Sequence, residues 1–434
     1  MPFKNSTLDR TLRLLAGYHF CLLFLVCYFF LFQYCRISYY RDPTSYFFDP
    51  TRAYATGYSD RRKDEAAAFV QDGLHLPTKR LSSDTTPKMC VGIASIARQG
   101  VNYLQYSTGS VLHGLTLQER QEIVLITLLA HANSSKHPDA DSEWLLNAAD
   151  QVLDYSAPFE KEEYVQSLEG DKDKQKEKSL FDYAHLLDAC RATGADFIFV
   201  MEDDTVAAQG WYLRTMQGLH AIATRMEGMG RAPSDFLYLR LFYTEKFLGW
   251  SGEYNFQYIM SSIFIISMPL LLLAIPYSRR PRIIQRPSTV FVISFIYTPM
   301  LILLFFLAGR PSMFPIKPGV HLMPENACCT QALVFPSSKI PGVVNWLDSH
   351  REDADSYQDQ LIEEYAERTK PNMLRWALTP NVVQHVGDKS SKAGSVAGWG
   401  DRGPRLRLWS VSFEREGIAS KFRWKGDYTE NVAR

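Results

Sequence analysis

Three adjacent carboxylates, Glu202, Asp203 and Asp204, follow directly on the apolar run FIFVM at 197–201. An apolar strand that ends in clustered acids sets them at the carboxyl edge of a sheet. Like charges held that close are costly unless a cation lies among them. A hard divalent ion that takes oxygen ligands, Mn2+ or Mg2+, suits such a group and can bridge it to a diphosphate. Its role there would be to neutralise a departing nucleoside diphosphate. The bland alternative is a solvated acidic turn or a helix cap, and the five apolar residues in front count against it.

The elements that must hold these acids are short and apolar. MCVGIASIA at 89–97, EIVLITLLAHA at 122–132, ADFIFVM at 195–201, FLYLRLF at 236–242 and the segment 331–335 read as buried strands; 102–115 and 180–191 read as helices. Strands alternating with helices predict an α/β fold with a largely parallel, covered sheet, whose ligands gather at the carboxyl ends of the strands. The charge run at 158–178 reads as a solvated loop or helix face.

Three stretches carry no charged residue: 14–35, 254–278 and 287–309. Each is long enough for a helix to cross a hydrocarbon core of about 30 Å, which takes roughly 20 residues, and a helix satisfies its own backbone hydrogen bonds in lipid. No small-residue cleavage site follows the first stretch, so it reads as a retained anchor rather than a signal peptide. Lys4, Arg10 and Arg13 precede it, and Arg279, Arg280, Arg282 and Arg286 crowd the link between the other two. Both basic groups are expected on the cytosolic side, which leaves 37–253 and 310–434 in the lumen. With 47 basic and 47 acidic residues the formal charge is zero, so no electrostatic footprint for nucleic acid is expected. The lumenal cysteines Cys90, Cys190, Cys328 and Cys329 allow three disulfide pairings, among which the sequence does not choose. The sequon Asn133-Ser-Ser is expected in the lumen as well.

VMEDD resembles the DxD-type motif of GT-A glycosyltransferases. GIASIAR at 92–98 with Tyr103 and Leu104, KSLFDYAHLLDAC at 178–190, CCTQALVFP at 328–336 and QHVGDKSS at 384–391 stand in the order found in a narrower group. With three spans, two of them inside the catalytic region, the chain resembles the post-GPI-attachment GalNAc-transferase family. That family is similar in pattern to the N-glycan branching N-acetylglucosaminyltransferase IV enzymes. The resemblance covers about 88–392. It implies a GT-A nucleotide-sugar-binding domain split by a transmembrane hairpin. It also implies a UDP-sugar donor, UDP-GalNAc, and GPI-anchored proteins at a lipid bilayer as acceptors. The implied location is the Golgi or endoplasmic-reticulum membrane. By position, Glu202, Asp204 and His385 would hold the metal, and Ser95, Arg98, Lys178, Asp182 and Asp203 would meet the nucleotide. An Arg such as Arg98 can take phosphate in bidentate geometry.

An inverting transfer would need a general base for the acceptor hydroxyl. Candidates are Asp359 and Glu363, one helical turn apart in SYQDQLIEEYAE, and Glu253 at the entry of the second apolar stretch. The expected organisation is a cytosolic tail (1–13), anchor (14–35), stem (36–87), first catalytic part (88–253), hairpin (254–309, with cytosolic loop 279–286), second catalytic part (310–392) and an extension (393–434). Two other functions are weighed: an N-acetylglucosaminyltransferase acting on N-glycans, which has no use for a hairpin, and a non-catalytic membrane scaffold, which has no use for acids at a strand end.

Overall fold

A computed structural model describes residues 6–54, 56–72, 86–98, 100–156, 159–171, 173–276, 287–323, 330–352, 354–369, 373–388 and 408–415. The basic link 279–286, Cys328, Cys329 and most of the C-terminal extension lie outside them. The chain divides into two compact units, Met1–Tyr54 with Glu245–Ile316, and Ala55–Thr244 with Lys317–Arg434.

The smaller unit holds three helices long and apolar enough to cross a membrane: His19–Ser38, Glu245–Ala274 and Pro287–Leu307. Large apolar side chains such as Phe30, Phe256 and Phe264 point outward, a surface that suits lipid better than water. A five-residue π-helical stretch, Ile293–Tyr297, interrupts the third. The Trp250 indole donates to the Phe306 carbonyl at 3.0 Å and packs on Tyr258 and Phe305.

The larger unit is built on strands β1 (Met89–Ser95), β2 (Ile123–Leu129), β3 (Gln151–Leu153), β4 (Phe197–Glu202), β5 (Thr205–Ala207), β6 (Tyr238–Arg240), β7 (Gly319–Leu322), β8 (Ala332–Pro336), β9 (Arg375–Thr379) and β10 (Val383–His385). Eight form one sheet in the order β3-β2-β1-β4-β8-β6-β9-β7, and β10 pairs with β5. Side chains alternate between two cores, as the pleat requires. Met89, Val91, Ile93, Phe199 and Met201 pack under helices Leu104–Leu112 and Trp211–Gly228. Cys90, Ile198, Val200, Leu333 and Phe335 pack under helices Gln175–Ala192, Ile340–Ser349 and Gln358–Arg368. Burial on both faces is why these strands read as unbroken apolar runs.

The sheet is mixed rather than largely parallel. β1, β2, β3 and β4 run parallel, as do β6 and β9, whereas β8 lies antiparallel between β4 and β6 and β7 antiparallel to β9. β8 comes after the 245–316 segment, so one sheet is assembled from both sides of that insertion. Two further features lie near the ends of the larger unit. Gly57–Asp72, within the expected stem, is a helix of the larger unit. It crosses Leu104–Leu112 so closely that a Cβ on Gly109 would stand 2.4 Å from the Ala66 carbonyl oxygen. In the extension, Glu414 accepts from the amides of Tyr58 and Ser59 at 2.9 and 3.2 Å, closing the start of that helix. A disulfide joins Cys90 on β1 to Cys190 on helix Gln175–Ala192.

Candidate active site

β1 and β4 are parallel neighbours, with Ala94 opposite Glu202, so their carboxyl ends open at one edge of the sheet. Ser95 closes β1 and Arg98 lies just beyond it. Asp203 and Asp204 occupy the turn from β4 into β5, which the Thr205 hydroxyl closes by donating to the Glu202 carbonyl at 2.7 Å. The β5–β10 ladder sets His385 opposite Thr205. This short pairing is what carries a residue 181 positions downstream to the acids. His385 Nε2 stands 3.5 Å from Asp204 Oδ2.

The two aspartates have different duties. Asp203 is fully engaged: Arg98 donates to both its oxygens, at 2.6 and 2.8 Å, and the Ser95 hydroxyl donates at 2.7 Å. A bidentate guanidinium–carboxylate pair of this kind is among the strongest hydrogen-bonded arrangements. Arg98 lies 3.8 Å from Asp204 Oδ2 and over the Tyr103 ring. Asp204 is buried, and its Oδ1 has no hydrogen-bond partner among the described residues; neither has the buried Arg98 Nε. Burial alone would raise the Asp204 carboxyl, but His385 and Arg98 leave it below the usual range. Behind it, Gly387 is packed so tightly that a Cβ there would meet Asp204 Oδ2 at 2.6 Å.

Of the residues singled out in the sequence, Ser95, Arg98, Asp203, Asp204 and His385 converge. Glu202 is next to them, with its carboxylate turned to the Thr330 hydroxyl at 3.2 Å. Lys178 and Asp182 form a flanking cluster at the end of β2. Lys178 donates to the Ala130 carbonyl and to Asp182, each at 2.7 Å, and the Tyr155 hydroxyl donates to Asp182 at 2.5 Å. Burial, first among the causes, holds the Asp182 carboxyl up. Glu363 does not join the group: Tyr238, Arg240 and Arg375 donate to it at 2.5, 2.8 and 2.6 Å, tying helix Gln358–Arg368 to the sheet. Asp359 is half-buried in the first turn of that helix. Its charge is felt by Tyr183, which also feels Glu202. Glu253 belongs to the other unit and is exposed there. Among the described residues no three His, Cys, Asp or Glu side chains are already gathered as a cation site.

Three residues to which the sequence assigned no individual role help build the site. Tyr103 takes the Asp388 amide on its hydroxyl at 2.8 Å. His131 Nε2 accepts the Ala97 amide at 2.8 Å and so fixes the turn before Arg98. His137 lies 3.0 Å from the Ser95 hydroxyl. Tyr103 and His131 stood inside quoted runs without a role of their own; His137, a lone histidine in a polar loop, carries no spacing signal.

An α/β unit with paired acids and an arginine at its strand ends is the setting of a nucleotide-dependent group-transfer enzyme. The sequence model of the family described as GPI-N-acetylgalactosamine transferase PGAP4 matches residues 89–384, about two thirds of the 434-residue chain. The chain belongs to that family and is a glycosyltransferase, an enzyme class that draws on a nucleotide-sugar donor. No curated protein sequence matches it.

Proposed function

We propose that the chain transfers N-acetylgalactosamine from UDP-GalNAc to the mannose core of GPI anchors on proteins, with inversion, at the Golgi membrane. In this reading the larger unit is a GT-A domain, and the three apolar helices anchor it in the bilayer with that unit in the lumen. The observation that carries the proposal is the convergence of Ser95, Arg98, Asp203, Asp204 and His385 at the ends of β1 and β4; the first four lie inside the span that the family model matches and His385 directly follows its end.

A divalent cation fits the donor set. Asp204 brings a buried carboxylate oxygen with no partner among the described residues, and His385 faces the same carboxylate. Asp204 and His385 would hold the ion, Mn2+ or Mg2+, whose contribution when bound is positive charge for the leaving diphosphate. Arg98, anchored by Asp203, stands 3.8 Å from Asp204 Oδ2 in the same region, and Lys178 closes the flank beside β2. For the base, Asp359 is favoured over Glu363, whose carboxylate is consumed by three donors. The burial of Glu363 between two arginines serves the packing of its helix instead.

The acceptor explains why apolar helices interrupt the chain. A GPI glycan stands only a short way above the lipid, and spans entering after Thr244 and leaving before Lys317 keep this enzyme at the same surface. The alternatives, an N-glycan N-acetylglucosaminyltransferase and an inert scaffold, draw no support from the family match. The test is mass spectrometry of GPI glycans from cells carrying the wild-type chain, Asp204→Ala or neither. Loss of a HexNAc side branch in the last two is expected. A branch that survives Asp204→Ala in well-expressed protein overturns the assignment.

A further inference from the structure

Ser95, His137 and Asp139 have the composition of a hydrolytic triad, and all three are buried. The wiring runs the opposite way. The Asp139 backbone amide, which can only donate, donates to His137 Nδ1 at 3.1 Å. The neutral ring therefore carries its proton on Nε2, and Nε2 lies 3.0 Å from Ser95 Oγ. His137 donates to Ser95, and Ser95 spends its own proton on Asp203 Oδ2 at 2.7 Å. A serine whose hydroxyl is committed to a carboxylate, beside a histidine that donates to it, has no base to activate it as a nucleophile.

We propose that His137 is a positioning residue for the transferase: through Ser95 it pins Asp203 against Arg98, so that Asp203 is committed to the guanidinium and Asp204 alone of the two aspartates is left to face the cation and diphosphate. The proposal rests on the reading of this edge as the donor site. Its support is a continuous chain of donors, amide 139 to His137 to Ser95 to Asp203, which ends on an acid already saturated by Arg98. The far end of the chain is itself fixed. Asp139 Oδ2 accepts from Asn102 at 2.6 Å and its Oδ1 from the Trp144 indole at 3.2 Å, so the loop that supplies the amide cannot drift. His137 touches neither Asp204 nor His385 in any contact described; it acts one residue removed. Without its donation the Ser95 hydroxyl is free to turn, and the Asp203 carboxylate is left with the guanidinium as its one remaining described hydrogen-bond partner.

The test compares His137→Gln with His137→Met in the full-length, detergent-solubilised chain. The two side chains are close in volume, but only glutamine can donate toward Ser95. Affinity for UDP in the presence of MnCl2 is measured by calorimetry, with thermal unfolding and the donor KM alongside. The Gln variant is expected to bind UDP as the wild type does. The Met variant should bind about 3–10-fold more weakly, the worth of one lost buried hydrogen bond, with a matching rise in donor KM. Equal affinities for Gln and Met, whether or not both unfold at a lower temperature, would mean that His137 only fills space, and the proposal fails. If the wild type binds no UDP at all, it is the donor-site reading that falls.

Discussion

Replacing Gly387 by alanine puts strain directly on the candidate site, where it can be read. The added Cβ would lie 2.6 Å from Asp204 Oδ2 and 3.0 Å from its Cβ and Cγ. Carbon contacts relax near 3.5–4.0 Å, so the two chains must part by roughly 0.5–1 Å. The neighbour offers little room, because Asp204 is buried and the Val386 amide holds its carbonyl at 2.8 Å. Overpacking of this size costs about 1–3 kcal/mol. Shifting a reacting geometry by about 1 Å costs on the order of 100-fold in rate. Gly387→Ala should therefore lower both the unfolding temperature and kcat/KM, with the rate falling further than stability alone would account for. A double-mutant cycle on stability isolates the cause. In an Asp204→Ala background the carboxyl that the new methyl strikes is gone, and the two changes should couple by about 0.5–3 kcal/mol. A Gly387→Ala enzyme with wild-type kcat/KM, or strict additivity with Asp204→Ala, would refute this account of why glycine stands there.

Other expectations follow from the packing. His113, His131, His137 and His185 are all held below the ordinary value of 6.5, in each case first by burial. Below pH 6.5 the unfolded chain binds protons that the folded one resists, so stability rises with pH through that window and falls as the pH drops beneath it; thermal unfolding measured across pH 5–8 should show this sign. Cys190→Ser should cost about 2–5 kcal/mol, and the loss should vanish when wild type and variant are compared under reducing conditions. Glu414→Ala leaves the amides of Tyr58 and Ser59 without their carboxylate, a penalty of about 1–3 kcal/mol that chemical denaturation would detect.

How much could be read in advance depended on what each element buries. β1, β2, β4 and β8 are covered on both faces, and their apolar runs were plain in the sequence. β3, β5, β6 and β10 have three residues each, too few for any period to show, although 236–242 still announced itself through FLYLRLF. The antiparallel placement of β8 left no mark because direction is set by tertiary pairing and not by composition. Glu202, Asp203 and Asp204 stood out because acids after an apolar run are electrostatically odd. That Asp203 would be consumed by Arg98 could not be seen, since the pairing depends on β1 and β4 lying side by side. Glu363 looked like Asp359, one turn away on the same helix; only the arginines of β6 and β9, brought up by the sheet, separate an anchoring acid from one left half-open. Glu414 gave no signal because its partners are the backbone amides of Tyr58 and Ser59, over 350 residues away.

The arrangement of the sheet also dictates an order of events during synthesis. β4 needs β8 along one edge, yet residues 332–336 emerge only after the whole 245–316 segment has been made. Throughout that interval the growing polypeptide carries an open, apolar strand edge, the kind of surface that invites wrong partners. The Cys90–Cys190 bond joins residues already synthesised by then, so it can brace the nascent half-sheet while the missing strand is still on its way.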